Sequence, residues 1–190
     1  NYSSKKISSL YEQVMTLDVI PGSEETIDVC IELPMGRKKY IHYTPRHFMA
    51  LKEANNGKQW LEWTNSKTVK ESLFAWQFIQ YEFLKQWAEI KKYANEKGIK
   101  IIGDIPMYVS LDSSDVWANK EEFLLNDSNL PTHVAGVPPD YFSKDGQLWG
   151  NPLYNWSNMK KNSYKWWMDR LEFMTELFDG CSFKAFADTV

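Results

Sequence analysis

The stretch from Gly98 to Pro106 reads GIKIIGDIP and carries the clearest signal of the fold class. A long segment with apolar residues at every third or fourth position precedes it. A helix, a glycine, a short apolar strand and an acid at the strand's carboxyl end make up the repeating unit of a parallel α/β sheet. Asp104 would then lie where functional groups of such sheets gather, although it could equally accept backbone hydrogen bonds in the next loop.

The preceding helix is predicted from Glu71 to Lys97. Its apolar stripe predicts packing in a core and comprises Leu73, Trp76, Ile79, Phe83, Trp87, Ile90 and Tyr93. A shorter helix is predicted from Arg46 to Asn55, with Gly57 as its left-handed stop. Asp112 to Asp115 offers helix caps, and Asn119 to Leu125 should continue as a short helix.

The same pattern returns near the end of the chain. Ser157 is predicted to cap a helix that carries Trp167 and reaches Phe178. A strand from Cys181 to Phe186 should follow Asp179 and Gly180. Two helix–glycine–strand units in register predict two consecutive steps of a (β/α) barrel.

Residues 1–45 show a different pattern. Residues 26–33 and 39–43 alternate apolar and polar side chains, and Pro34 to Arg37 would make the turn of a hairpin. We therefore separate residues 1–45 from a second region, residues 46–190. His42 and His47 lie five apart without a third ligand type at metal spacing, which favours exposed or core-edge histidines over a metal site.

Composition limits the class of protein. The chain has 190 residues, 43% of them hydrophobic and 25% charged, which is typical of one globular domain. A net charge of −3 provides no basic surface for nucleic acid. No apolar run approaches the ~18 residues of a membrane span and no signal-like segment follows the start, so we expect a soluble cytoplasmic protein. Cys30 and Cys181 are interpreted as reduced, buried thiols, with one disulfide as the alternative.

An aromatic stretch from His133 to Trp156 interrupts the α/β pattern. It is rich in proline and glycine, yet it holds five large rings: Tyr141, Phe142, Trp149, Tyr154 and Trp156. Exposed rings in a long loop indicate a flat apolar ligand or a partner surface, and sugar rings stack on such planes while carboxylates and amides such as Asp140, Gln147 and Asn151 bind their hydroxyls. The alternative is an Ω-loop that buries its own rings.

Three stretches carry a resemblance to a known family. They are FMALKEANNGKQWLEW at 48–63, IKIIGDIPMYVSLDSSDVWANKEEF at 99–123 and AGVPPDYFSKDGQLWGNPLYNW at 135–156. Together they resemble the 4-α-glucanotransferases, also called amylomaltases or disproportionating enzymes, from about Phe48 to Gly180. The resemblance implies a (β/α)8 (TIM) barrel, of which this chain would hold two strands, and the transfer of α-1,4-glucan segments between malto-oligosaccharides without an organic cofactor.

The resemblance also implies a catalytic defect. Transfer with retention needs two carboxyl groups about 5 Å apart, one of them the nucleophile. The family's nucleophile segment usually reads Arg-Ile-Asp-His-Phe, whereas this chain has Ser182-Phe183-Lys184-Ala185-Phe186. Lys184 stands in the place of the nucleophilic aspartate, and an ammonium group cannot form the glycosyl ester. The family's other acids lie on later strands, beyond Val190, so we expect the chain to be inactive as it stands.

Binding of glucan is the activity that the resemblance leaves intact. The positions it assigns to glucan contact are Asp104, Asp140, Tyr141, Phe142, Trp149 and Asn151. A non-catalytic interaction module that uses the aromatic stretch remains the alternative. Two strands also leave the sheet edges of a barrel unpaired. Either other chains complete the barrel, or the strands before residue 45 complete a smaller α/β sheet.

Overall fold

The computed structural model describes residues 30–32, 38–40, 43–68, 70–139, 141 and 143–182. The strands are β1 (Cys30–Glu32), β2 (Lys38–Tyr40), β3 (Ile102–Asp104), β4 (Val134–Val137), β5 (Gln147–Pro152) and β6 (Gly180–Ser182). The helices are α1 (Tyr43–Ala54), α2 (Lys70–Glu96), α3 (Ser114–Ala118), α4 (Trp156–Lys161) and α5 (Lys165–Leu177). Single 3₁₀ turns lie at Trp60–Glu62 and Lys120–Glu122.

Strands β3 and β6 form the predicted parallel pair. Ile102 lies opposite Gly180, and Asp104 lies opposite Ser182. The N–H of Ile105 extends the ladder by donating to the Ser182 carbonyl at 3.2 Å. Each strand follows a helix, α2 and α5 respectively, so the α/β alternation expected from the sequence is confirmed.

Gly103 lets helix and sheet approach closely in this pair. A Cβ at Gly103 would lie only 2.3 Å from Cδ2 of Phe178. The Phe178 ring in turn packs edge-on against Trp87 of α2, with 5.3 Å between centroids. The glycine therefore has a packing role that the strand pattern alone did not indicate.

The first helix ends as predicted. Gly57 has a positive φ of 75° and its N–H donates to the Lys52 carbonyl at 2.8 Å, which closes the last turn. Trp60 follows, and its indole nitrogen donates to the Leu111 carbonyl at 2.6 Å. Lys52 forms an ion pair with Asp112 at 2.5 Å. These contacts join α1 to the segment between β3 and α3.

The core consists largely of aromatic rings. One group joins Phe48, Trp63 and Trp117, with centroids 5.2 to 6.0 Å apart. A second group surrounds the buried Tyr154, whose ring lies 5.3 to 5.5 Å from those of Phe123, Trp156, Trp166 and Trp167. The abundance of tryptophan therefore has a structural use, because many of these rings pack on one another.

The expectation that the α2 stripe is core packing is wrong. Helix α2 has the predicted length, but none of its 27 residues is buried. Four stripe residues are more than half exposed, namely Ile79, Phe83, Ile90 and Tyr93. A stripe is buried only where another element covers it. Among the described residues, the side-chain hydrogen bonds from α2 toward the end of α5 come from Trp87 and Lys91, which lie in the C-terminal part of α2.

The helix predicted from Ser157 is two helices. Asn155, rather than Ser157, caps α4 by accepting the Asn158 N–H at 3.2 Å. Ser163 and Tyr164 then adopt positive φ values of 59° and 57°, which breaks the helix before α5 begins. The short helix expected from Asn119 to Leu125 is a single 3₁₀ turn, whereas Ser113 caps α3 as expected.

The aromatic stretch is a hairpin rather than an irregular loop. Strands β4 and β5 pair antiparallel, with Val134 opposite Pro152 and Val137 opposite Gln147. Glycine within both strands and proline within β5 obscured the alternation. Tyr154, just beyond β5, is a core residue with only 4% of its surface exposed.

Strands β1 and β2 pair antiparallel, with Cys30 opposite Tyr40, as the predicted hairpin requires. Its expected turn, Pro34 to Arg37, lies outside the described residues. Cys181 is a free, half-buried thiol. In the part of the chain that the structure describes, no helix is long and apolar enough to cross a membrane.

Candidate functional site at the ends of the parallel strands

Asp104 lies at the carboxyl end of β3, as predicted. Its Oδ1 accepts a hydrogen bond of 2.8 Å from the Ser182 hydroxyl at the corresponding end of β6. Both side chains are accessible to solvent. The two strand ends therefore present a solvent-accessible carboxylate that the Ser182 hydroxyl helps to orient.

The segment that leaves β3 is joined to the hairpin by two hydrogen bonds. Asn151 donates from Nδ2 to the Val109 carbonyl at 3.0 Å. The Tyr154 hydroxyl donates to the Met107 carbonyl at 2.5 Å. These bonds hold the base of the hairpin beside the segment that follows Asp104, and Asn151 acts in the structure as a backbone anchor.

Burial decides the protonation state of Tyr154. It raises the pKa of the phenol well above its ordinary value, and the nearby Arg170 guanidinium opposes this rise. The hydroxyl therefore remains protonated at neutral pH and can donate to Met107. Tyr154 is a structural group of the site, not an acid or base of it.

Trp149 presents the predicted aromatic surface. Its ring packs edge-on against Tyr108, 6.1 Å between centroids, and its Nε1 donates to Oε1 of Gln147 at 2.9 Å. The side chain is held on two sides, yet the residue remains 38% exposed. An indole that is fixed in place and still accessible is suited to stack on a flat ligand.

Tyr141 lies beyond β4 and is 96% exposed. The other predicted positions, Asp140, Phe142 and Lys184, lie outside the described residues. The structure thus connects Trp149 and Asn151 to the segment that follows Asp104, through Tyr108 and Val109.

A cavity of about 510 Å³ runs along the hairpin. Its polar lining comprises Thr132, His133, Asp145 and Gln147, and its apolar lining includes Val134, Leu148 and several prolines. Gln147 links this cavity to Trp149 through the hydrogen bond described above. Polar groups converging on an apolar cleft are typical of small-molecule sites.

Among the described residues, no group of three or more His, Cys, Asp or Glu side chains is arranged to hold a metal ion. His47 is a core-edge residue that stacks on Trp117 at 6.0 Å. Burial, and then the charge of Arg46, lowers the pKa of His47. His42 is outside the described residues.

Two residues of the candidate site, Ser182 and Tyr108, were not predicted from the sequence. Ser182 was considered only for the residue it replaces, although its hydroxyl orients Asp104. Tyr108 supports the Trp149 ring, and its position four residues after Asp104, on the segment leaving the strand, was the available signal.

Several known proteins are similar to this chain in sequence. The sequence profile described as 4-alpha-glucanotransferase matches residues 42–182. The 4-alpha-glucanotransferase of Clostridium butyricum is 47% identical over 146 residues, or 70% of this chain and 30% of that protein. The corresponding enzyme of Aquifex aeolicus is 46% identical over 145 residues, with the same shares covered.

A solved structure is also similar. Amylomaltase from Streptococcus agalactiae in complex with acarbose has a TM-score of 0.62 and 39% identity, covering 76% of this chain and 32% of that one. The chain spans about 30% of the length of the relatives named above. On these matches, the chain belongs to the 4-alpha-glucanotransferase family.

Proposed function

We propose that this chain is a segment of a (β/α)8 barrel that binds α-1,4-glucan at the ends of β3 and β6, and that it does not catalyse transfer by itself. The observation that carries the proposal is the Trp149 indole, which is fixed by Gln147 and Tyr108 but remains accessible. A glucose ring would stack on this indole while its hydroxyls bind the Asp104 carboxylate.

The barrel assignment has two supports. The parallel pair β3–β6 with its preceding helices is the unit from which such barrels are built. The relatives and the solved amylomaltase are similar over most of this chain. Asp104 and Ser182 then occupy the carboxyl ends of barrel strands, which is where barrel enzymes bind their substrates.

The absence of catalysis follows from Lys184. By the resemblance it takes the position of the aspartate that attacks the anomeric carbon, and its ammonium group carries no lone pair for that attack at neutral pH. Its positive charge would also oppose the oxocarbenium-like transition state. We expect no longer or shorter oligomers when the chain is incubated with maltotriose and the products are separated by chromatography. Sustained disproportionation would overturn this part of the proposal.

Binding is tested by calorimetric titration with maltoheptaose. Wild type should bind weakly, and Trp149→Ala should weaken binding about tenfold, equivalent to ~1.4 kcal/mol, because the stacking surface is lost. Tyr93→Ala is the matched control, since this ring is 65% exposed on α2 and lies outside the proposed site. Equal affinity of the two variants would contradict the proposal.

Exposed apolar side chains favour a second candidate, a protein-interaction module. Leu148 is 80% exposed and Tyr141 is 96% exposed on the same hairpin. Size-exclusion chromatography with light scattering tests this candidate. Self-association that Leu148→Gln abolishes would support the interaction module. A monomer at all concentrations, together with glucan binding through Trp149, would support the glucan-binding proposal instead.

A further inference from the structure

A second cavity lies where α1, α3 and α5 meet, apart from the hairpin. Its volume is about 350 Å³. None of the residues assigned above to glucan contact lines it. The lining residues are Pro45, Ser114, Asp115, Asn119, Trp166, Asp169, Arg170 and Phe173.

One wall, from α3 and the residue after it, offers unused hydrogen-bond acceptors. The Asp115 carboxylate is half-buried, and no side-chain hydrogen bond or ion pair engages it among the described residues. Asn119 donates from Nδ2 to the Asp115 carbonyl at 2.9 Å, which turns the amide but leaves its Oδ1 available. An unpaired carboxylate on a cavity wall has capacity for a ligand's donors.

The opposite wall, from α5, offers a donor. The Arg170 guanidinium lies over the rings of Trp166 and Trp167, at 5.1 and 5.2 Å from their centroids. Its Nη1 is buried and has no hydrogen-bond partner among the described residues, while the guanidinium also interacts with the Tyr154 hydroxyl. Asp169 next to it is neutralised by Lys165, whose Nζ donates to both carboxylate oxygens at 2.8 and 2.6 Å.

The two walls do not satisfy each other. In the described part of the chain, no ion pair within 4.0 Å joins Arg170 to Asp115, although both line the same cavity. An anion would be attracted by the guanidinium and repelled by Asp115, and a cation would meet the reverse. A neutral hydroxyl satisfies both walls, because it donates to the carboxylate and accepts from the guanidinium.

The remaining lining determines the shape of the ligand. Pro45 and Phe173 add apolar surface beside the Trp166 ring. The volume is at the small end for ligand pockets, which fits one or two rings rather than a long chain. We propose that this cavity is a second binding site, which takes a neutral, hydroxyl-rich ring such as a single hexose unit.

The test uses the variant Asp115→Asn, which keeps the side-chain shape and the helix cap at Ser113. Calorimetric titrations with glucose and with maltotriose are made in the Trp149→Ala background, so that the proposed site at the strand ends does not contribute. We expect residual sugar binding in this background and a loss of about tenfold on adding Asp115→Asn. The matched control is Asp127→Asn, an exposed aspartate in another turn, and it should leave binding unchanged.

Each alternative outcome has a definite meaning. If Asp115→Asn and Asp127→Asn bind sugar equally, or if Trp149→Ala alone removes all binding, the second site does not exist. If sodium acetate competes with glucose, the site takes anions and the proposal is wrong. If Asp115→Asn lowers sugar affinity tenfold and Trp149→Ala has no effect, the cavity beside Asp115 is supported and the site at the strand ends is contradicted. If glucose and maltotriose bind with comparable affinity, the site binds a free ring. If maltotriose binds more strongly, the site binds the end of a chain.

Discussion

Helix α2 and the β4–β5 hairpin differ in burial, and the difference is the reverse of what their sequence patterns suggest. The helix has the most regular apolar spacing in the chain, yet it buries no residue. The hairpin is polar and interrupted by proline and glycine, yet Tyr154 at its base is at the centre of the aromatic core. Periodicity thus reports the local backbone geometry, whereas burial depends on what the rest of the chain places against a side chain.

The largest expected effect comes from removing the ring that joins the hairpin to the core. Tyr154→Ala should lower the free energy of unfolding by about 3–5 kcal/mol, because a buried aromatic side chain leaves a cavity. Tyr93→Ala, at a 65% exposed tyrosine of α2, should change it by less than ~0.5 kcal/mol. Urea denaturation followed by circular dichroism measures both. Similar losses for the two variants would remove the contrast between helix and hairpin.

An intermediate effect is expected where α2 does make a close contact. Gly103→Ala should cost about 1–3 kcal/mol, because the new methyl group would displace the Phe178 ring toward Trp87. Chemical denaturation of Gly103→Ala, Phe178→Leu and the double variant forms the matched set. We expect the double variant to be more stable than the sum of the single losses predicts. If the losses of the two single variants add up to that of the double variant, the Phe178 ring is not what the new methyl group displaces.

The smallest effect concerns the exposed polar groups at the same end of α2. The Ile101 N–H donates to Asp179 at 2.8 Å, and Asn95 donates to it at 2.9 Å. These bonds lower the pKa of Asp179 below its ordinary value of 3.8. The stabilisation is therefore complete above that value and is lost as the pH falls through the lower, folded-state value.

Asp179→Asn should accordingly reduce the acid dependence of stability without abolishing folding. The melting temperature of the variant should fall less than that of wild type between pH 5 and about pH 2. Asp127→Asn serves as the control for removal of one exposed carboxylate. If the melting temperature of Asp179→Asn depends on pH as that of wild type does, the charge of Asp179 does not contribute to stability.

Much of the fold could be predicted because local signals and long-range contacts agree. The apolar run at 99–102 and the glycines at 98 and 180 led to two parallel strands, which the structure confirms. Gly57 ends α1 as expected. The break at Ser163 and Tyr164 was missed because neither residue is glycine or proline. The Tyr164 ring packs on Trp156, 6.5 Å between centroids, while both residues adopt positive φ values that sequence propensity does not favour.

The strand-end position of Asp104 could be predicted from the sequence, but the contact made by Asn151 could not. Asp104 was placed correctly at a strand end because strand polarity follows from the helix–strand order. Asn151 was expected to face a ligand, yet it donates to Val109, a contact 42 residues away that spacing cannot reveal. The cavity beside Asp115 was missed altogether, since its walls come from α1, α3 and α5.

The end of α5 has a consequence for the order of assembly. The carbonyls of Glu176 and Phe178 accept hydrogen bonds from Lys91 at 2.9 and 3.1 Å, and that of Leu177 accepts one from Trp87 at 2.8 Å. A helix terminus that is normally completed by its own neighbours is here completed by groups about 85 to 90 residues earlier. Because synthesis runs from the N-terminus, Trp87 and Lys91 leave the ribosome before the carbonyls that they bind, so the last turn of α5 can gain these three hydrogen bonds only after both segments have been made.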